Sequence, residues 1–82
     1  MQKITLYSTL ACHLCEMAEE IILKQIDKSD FLLEKIDIAD DFELLEKYGV
    51  SIPVLSSSIK NKELFWPFDS DGVDGFLTEI TS

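Results

Sequence analysis

Hydrophobic and polar positions along this chain switch between a two-residue period and a three-to-four-residue period, and each switch marks the edge of an element. Gln2 to Tyr7 alternates, with Ile4 and Leu6 on one face and Lys3, Thr5 and Tyr7 on the other, which predicts a strand. Ser8 to Ala11 is the loop that follows. From His13 to about Ile26 the period lengthens. Leu14, Ala18, Ile21, Ile22 and Gln25 or Ile26 share one helical face, with Glu16, Glu19, Glu20 and Lys24 opposite, so this helix packs on the strand before it. Asp27 to Asp30 is a polar break. Phe31 to Ile38 then alternates as a second strand, Leu33, Lys35 and Asp37 opposing Leu32, Ile36 and Ile38. Strand, helix and strand in succession predict a right-handed parallel crossover.

Asp40 and Asp41 supply the N-cap of a short helix whose Phe42, Leu45 and Tyr48 face inward, and Gly49 ends it as the residue beyond the cap. Pro53 to Ile59 reads as a strand, Lys60-Asn61-Lys62 as a tight turn and Glu63 to Trp66 as the returning strand of a hairpin. Asp69 or Ser70 caps a last helix with Val73, Phe76, Leu77 and Ile80 at i, i+3, i+4 and i+7, weakened by Gly72 and Gly75. The predicted order is β-α-β-α-β-β-α, with no repeat, linker or low-complexity tract. The expectation is one domain spanning residues 1–82.

Composition narrows the function classes. Eighty-two residues, 46% of them hydrophobic, suffice for a single small core. No apolar run approaches the roughly 20 residues that span a bilayer. The N-terminus lacks the ordered regions of a signal peptide. A soluble, unprocessed, cytoplasmic monomer is the expectation. Seven Lys+Arg against sixteen Asp+Glu give a net charge of −9, which disfavours nucleic acid, anionic membrane and anionic small partners at long range. All seven cations are lysines. The same acidity is also an ordinary route to solubility.

The chemistry concentrates at Cys12-His13-Leu14-Cys15, between the first strand and the first helix. Cysteines three residues apart at a helix start lie about one turn apart, inside the roughly 4.4 to 6.8 Å between Cα atoms that a disulfide tolerates. Unpaired N–H groups and the helix dipole favour thiolate at the first sulfur. Cys12 is therefore the candidate nucleophile and Cys15 the candidate resolving thiol. Two other readings stand beside this one: inert thiols, or half of a metal site shared between chains. A metal within one chain is not expected, because zinc usually takes four ligands and His13, the chain's single histidine, is wedged between the cysteines. His13 is either a tuner of the Cys12 thiolate or a solvent-facing bystander. Glu16, Glu19 and Glu20 read as a solvated face whose charge opposes the thiolate weakly. Tyr7 ends the first strand beside the active loop and is a candidate site residue or simply half-buried. Trp66, Phe65 and Phe68 read as core of the hairpin and last helix.

The element order, the C-x-x-C at the first helix start and Ile52-Pro53 opening the third strand together resemble the thioredoxin fold in its minimal glutaredoxin form. More narrowly, LYSTLACHLCEMAEEIIL followed by IDIADDFELLEKYGVSIPVL is similar to a small bacterial glutaredoxin-like family with an acidic second helix ending in KYG and a PVL strand. The resemblance covers nearly the whole chain. It implies an α/β fold with a four-stranded mixed sheet and helices on both faces. It also implies thiol-disulfide oxidoreductase activity on a disulfide-containing protein or low-molecular-weight thiol, with an external reductant. By the same resemblance Pro53 is cis and lies against the dithiol, and Ile52 offers its main-chain N–H and C=O to an extended substrate. The resemblance makes glutathione a candidate co-substrate, but the chain departs from glutathione-using members. Ser8, Thr9, Leu10 and Ala11 are uncharged where those carry a basic residue, and Trp66-Pro67-Phe68 stands where they carry Gly-Gly. The last helix start at Ser70 and Asp71 is what remains to hold a carboxylate. No cofactor is expected. The alternative is a non-enzymatic module of the same fold that uses its acidic face to dock a basic partner.

Overall fold

The alternating runs pair into one four-stranded sheet in a computed structural model that describes residues 2–27 and 29–81. Met1, Lys28 and Ser82 lie outside the described residues, so the polar break expected at 27–30 is described only on either side of Lys28. The elements are β1 (Gln2–Ser8), α1 (His13–Gln25), β2 (Phe31–Asp37), a 3-10 turn (Ile38–Asp40), α2 (Phe42–Tyr48), β3 (Val54–Ser57), β4 (Lys62–Phe65) and α3 (Ser70–Thr81). In space the strands run β2-β1-β3-β4, with β1 parallel to β2, antiparallel to β3, and β3 antiparallel to β4. The order expected from the hydrophobic pattern is therefore the observed one, with one added turn after β2.

Alternation along β1 separates two cores. Ile4 and Leu6 join Leu55, Phe31, Ala18 and Ile22 and the α3 residues Val73, Phe76, Leu77 and Ile80 in the larger cluster. Tyr7 turns the other way and packs with Val54, Ile38, Tyr48, Leu44 and Ile52. Thus α1 and α3 cover one face of the sheet and α2 covers the other. Central in the sheet and packed on both faces, β1 buries Thr5 as well. No helix among the described residues is long and apolar enough to cross a membrane.

Several local expectations shift, each for a physical reason. On α1 the sheet-facing stripe is Cys15, Ala18 and Ile22, at i, i+3 and i+7, and it leaves Leu14 exposed. On α2 the inward pair is Leu44 and Tyr48, one turn apart, while Phe42 is 73% exposed and Leu45 lies outside as well. Asp41, not Asp40, caps α2, its Oδ1 accepting the Leu44 N–H at 3.2 Å, and Asp37 caps the 3-10 turn at Ala39. Gly49 is the last half-helical residue, at φ −50°, rather than a left-handed residue beyond the cap. What requires glycine there is the Leu45 carbonyl oxygen, into which a Cβ would run. The third strand is shorter than expected, Val54–Ser57, because Ser58 and Ile59 join Lys60 and Asn61 in the turn; Lys62 opens β4 instead, and Asn61 takes the left-handed φ of 53° that asparagine tolerates. Asp69 caps α3 by accepting the Gly72 N–H at 2.8 Å, with Ser70 as the first helical residue. Trp66 and Phe68 pack edge to face at 5.1 Å between ring centroids against the larger core, whereas Phe65 is exposed.

Candidate active site

The chain leaves β1 at Ser8, loops outward, and turns back at Ala11, whose φ of 56° lies in the left-handed region that non-glycine residues seldom occupy. That turn delivers Cys12 to the N-cap of α1. Its carbonyl accepts the Glu16 N–H at 3.1 Å, and its sulfur accepts the Cys15 N–H at 3.1 Å, so a thiol fills the place a serine or aspartate usually takes. The Cys12 and Cys15 sulfurs are at bonding distance as a disulfide, with Cα atoms 5.2 Å apart, as the one-turn spacing requires. Cys15 is buried in the sheet-facing stripe of the helix, and Cys12 is half-buried. Cys12 is thus the more accessible of the pair.

Both cysteines open onto a cleft of about 300 Å³ between α1 and the β1–β2 edge of the sheet, lined also by Glu16, Glu19, Lys35 and Asp37. Register explains the company. Lys35 pairs with Leu6 and Asp37 with Ser8, which brings the end of β2 beside the cysteine loop. Glu19 lies one turn beyond Cys15 on α1 and reaches Lys35 at 3.0 Å. It is therefore not part of a wholly solvated acidic face. Glu20 pairs outward with Lys24 at 3.9 Å instead. Of these cleft residues, Glu19 is reachable from its i+4 spacing to Cys15. Lys35 and Asp37 depend on a long-range register that no local pattern carries.

The other expected site residues fall at the same end of the sheet but not in this cleft. His13 points into solvent, with its side chain 82% exposed and Nδ1 3.9 Å from the Glu16 carboxylate. The Ile52-Pro53 peptide bond is cis and Pro53 is fully buried. Antiparallel pairing of Tyr7 with Val54 puts Pro53 level with the end of β1, where the cysteine loop begins. Tyr7 stacks on Tyr48 at 4.5 Å and 20°, a packing role on the smaller core. The Ile52 N–H, expected to be open to a substrate, donates to the Tyr48 carbonyl at 3.1 Å, because the loop after α2 closes back on the last helical turn. Ser70 is exposed at the start of α3. The Trp66-Pro67 bond, which the sequence reading did not single out, is also cis.

Tyr48 is the strongly perturbed titrating group. Burial, reinforced by the hydrogen bond its hydroxyl donates to Glu63, pushes the phenol well above its usual range. Lys47 lies 4.0 Å from the same carboxylate. Among the described residues no group of three His, Cys, Asp or Glu side chains is arranged to hold a metal ion.

A mixed sheet of this order, with paired cysteines capping its first helix and a cis-proline opening its third strand, defines a thioredoxin-fold protein of glutaredoxin type. The chain belongs to the glutaredoxin-like domain family (DUF836), whose sequence model matches residues 3–78. Among solved structures it is similar to the structural-genomics target protein XcR50 from X. campestris, with 33% identity over 93% of this chain and 96% of that one and a TM-score of 0.81. It is also similar to protein Ne2328 from Nitrosomonas europaea, at 35% identity over 92% and 89% of the two chains and a TM-score of 0.69. Thioredoxin 1 from Thermosipho africanus TCF52B shares the fold at 17% identity over 99% and 100% of the chains, with a TM-score of 0.65. No curated protein matches the chain.

Proposed function

We propose that the protein is a thiol-disulfide oxidoreductase of glutaredoxin type, with Cys12 as nucleophile and Cys15 as resolving thiol. The observation that carries this reading is the unequal placement of two sulfurs within bonding distance: one half-exposed at a helix N-terminus, the other buried behind it. An exposed sulfur held by a helix-terminal N–H is the better-stabilised thiolate when reduced. In the cycle, Cys12 thiolate attacks one sulfur of a substrate disulfide. The new bond joins Cys12 to that sulfur, and the substrate's other sulfur leaves as a thiolate that takes up a proton. Cys15, having lost its proton, then attacks Cys12, expelling the second substrate thiol and closing the internal disulfide. The substrate gains two electrons and the protein loses them. A thiol reductant returns the protein to the dithiol, which makes it an electron carrier between reductant and client. A cytoplasmic setting, where such a pair is kept cycling rather than locked, fits this use of two cysteines.

Trapping tests the roles. Cys15→Ser should accumulate a mixed disulfide with substrate that Cys12→Ser does not, as read by mass spectrometry without reductant. Equal trapping by both variants, or by neither, refutes the assignment.

A further inference from the structure

The charge and apolar character around the dithiol point to one class of substrate, on the understanding that the pair exchanges disulfides at all. We propose that Cys12 acts on disulfides carried by polypeptide segments with cationic and apolar side chains near the cystine, and discriminates against anionic low-molecular-weight disulfides such as glutathione disulfide.

The cleft that holds both sulfurs is lined by three carboxylates, Glu16, Glu19 and Asp37, and one ammonium, Lys35. Lys35 is held by Glu19 at 3.0 Å, so it neutralises that neighbour rather than presenting itself to a ligand. Asp37 is fixed by the Ala39 N–H, which orients its charge without cancelling it. Glu16 lines the same cleft with its side chain 76% exposed, 3.9 Å from the exposed His13 ring. The other described lysines cannot supply a counter-charge. Lys3, Lys24 and Lys47 face Glu34, Glu20 and Glu63, and Lys60 and Lys62 sit at the hairpin turn, at the opposite end of β3 from Pro53. A glutathione disulfide carries more carboxylates than ammonium groups and meets repulsion here. A lysine- or arginine-bearing peptide meets the reverse.

The second observation concerns what flanks the sulfur. Leu10, two residues before Cys12, is 82% exposed, and Leu14, between the cysteines, is also exposed. Large apolar side chains left in water within two residues of a reactive sulfur fit the side chains of an extended polypeptide better than a small, highly charged disulfide.

The test is single-turnover oxidation of the pre-reduced, reductant-free protein, followed by stopped flow. Four disulfides serve as probes: neutral hydroxyethyl disulfide, glutathione disulfide, a cystine peptide flanked by leucine and lysine, and the same peptide with glutamate for lysine. At about 0.01 M salt the lysine peptide should react at least about tenfold faster than the glutamate peptide, the scale of electrostatic steering into a charged cleft, and faster than glutathione disulfide. At about 1 M salt, where the screening length falls to about 3 Å, the ratio should collapse toward one. Glu16→Lys, at an exposed position, should shrink the low-salt ratio several-fold when each rate is divided by that of the neutral probe. A ratio near one at low salt, a ratio indifferent to salt, or glutathione disulfide as the fastest probe would overturn the specificity while the exchange chemistry stands. An inert neutral probe together with inert peptides would instead sink the exchange reading, and this inference with it.

Discussion

Removing the Tyr48 hydroxyl probes the join between the smaller core and the loop that carries Pro53. Tyr48 is 3% exposed, stacks on Tyr7, donates its hydroxyl proton to Glu63, and lends its carbonyl to the Ile52 N–H. In Tyr48→Phe the ring and the carbonyl remain, and only the hydroxyl is lost. A hydrogen bond to a charged acceptor contributes about 1.5–3 kcal/mol. Glu63 keeps solvent access and Lys47 at 4.0 Å, so the expected loss at pH 7 to 8 is smaller, about 1–2 kcal/mol. The pH dependence gives a sharper reading. Folding raises the phenol pKa above its unfolded value, so the native state holds a proton that the unfolded chain has released. The stabilisation is complete well below pH 10 and falls above it with a slope that approaches about 1.4 kcal/mol per pH unit, until the native phenol itself ionises. Urea unfolding of both oxidised proteins at pH 8, 10 and 11 reads this directly, since other titrating groups cancel in the difference. The gap between wild type and Tyr48→Phe should narrow by about 1 kcal/mol from pH 10 to 11, because half of the unfolded phenol is already ionised at pH 10. A gap that stays constant across that range would show that the hydroxyl is not held in its protonated form by burial and Glu63.

Three further outcomes follow from the packing, each measured by chemical denaturation. Gly75→Ala should stabilise the protein by about 0.5–1 kcal/mol, because an added Cβ meets nothing within 4 Å on α3, whereas Gly49→Ala should destabilise it, because the Leu45 carbonyl blocks the Cβ. Asp69→Ala should cost about 1 kcal/mol by removing the Gly72 N–H acceptor at the start of α3, while Asp69→Asn should keep most of that stability. Ile22→Ala, fully buried between α1 and the sheet, should cost about 2–5 kcal/mol with an unchanged denaturant slope, and an effect under 1 kcal/mol would contradict its place in the larger core.

Local chemistry was legible in the sequence where one segment carries the whole signal. The C-x-x-C at a helix start, the hairpin turn at Lys60 and Asn61 and the i, i+3, i+4, i+7 stripe of α3 each act through neighbours close in the chain. Pro53, by contrast, gained its meaning from the family resemblance, since proline before a strand says nothing by itself of cis geometry. Lys35 and Asp37 could not be placed at the dithiol because the β1–β2 register decides it, and register joins residues about thirty positions apart. The seven residues of α2 hold three apolar side chains besides Tyr48, and Phe42, Leu44 and Leu45 offer it two competing stripes. The stack of Tyr48 on Tyr7 selects Leu44 over Phe42 and Leu45. Main-chain bonding of Ile52 was likewise invisible, being set by how the chain closes after α2.

The centre strand divides the hydrophobic interior so that the two halves of the reactive end rest on separate foundations. Leu6 anchors the cysteine-bearing helix through the large cluster, and Tyr7, its immediate neighbour, anchors the proline-bearing loop through the small one. Adjacent residues of one strand thus tie the reactive end to both cores at once, and neither the helix nor the loop hangs from the other.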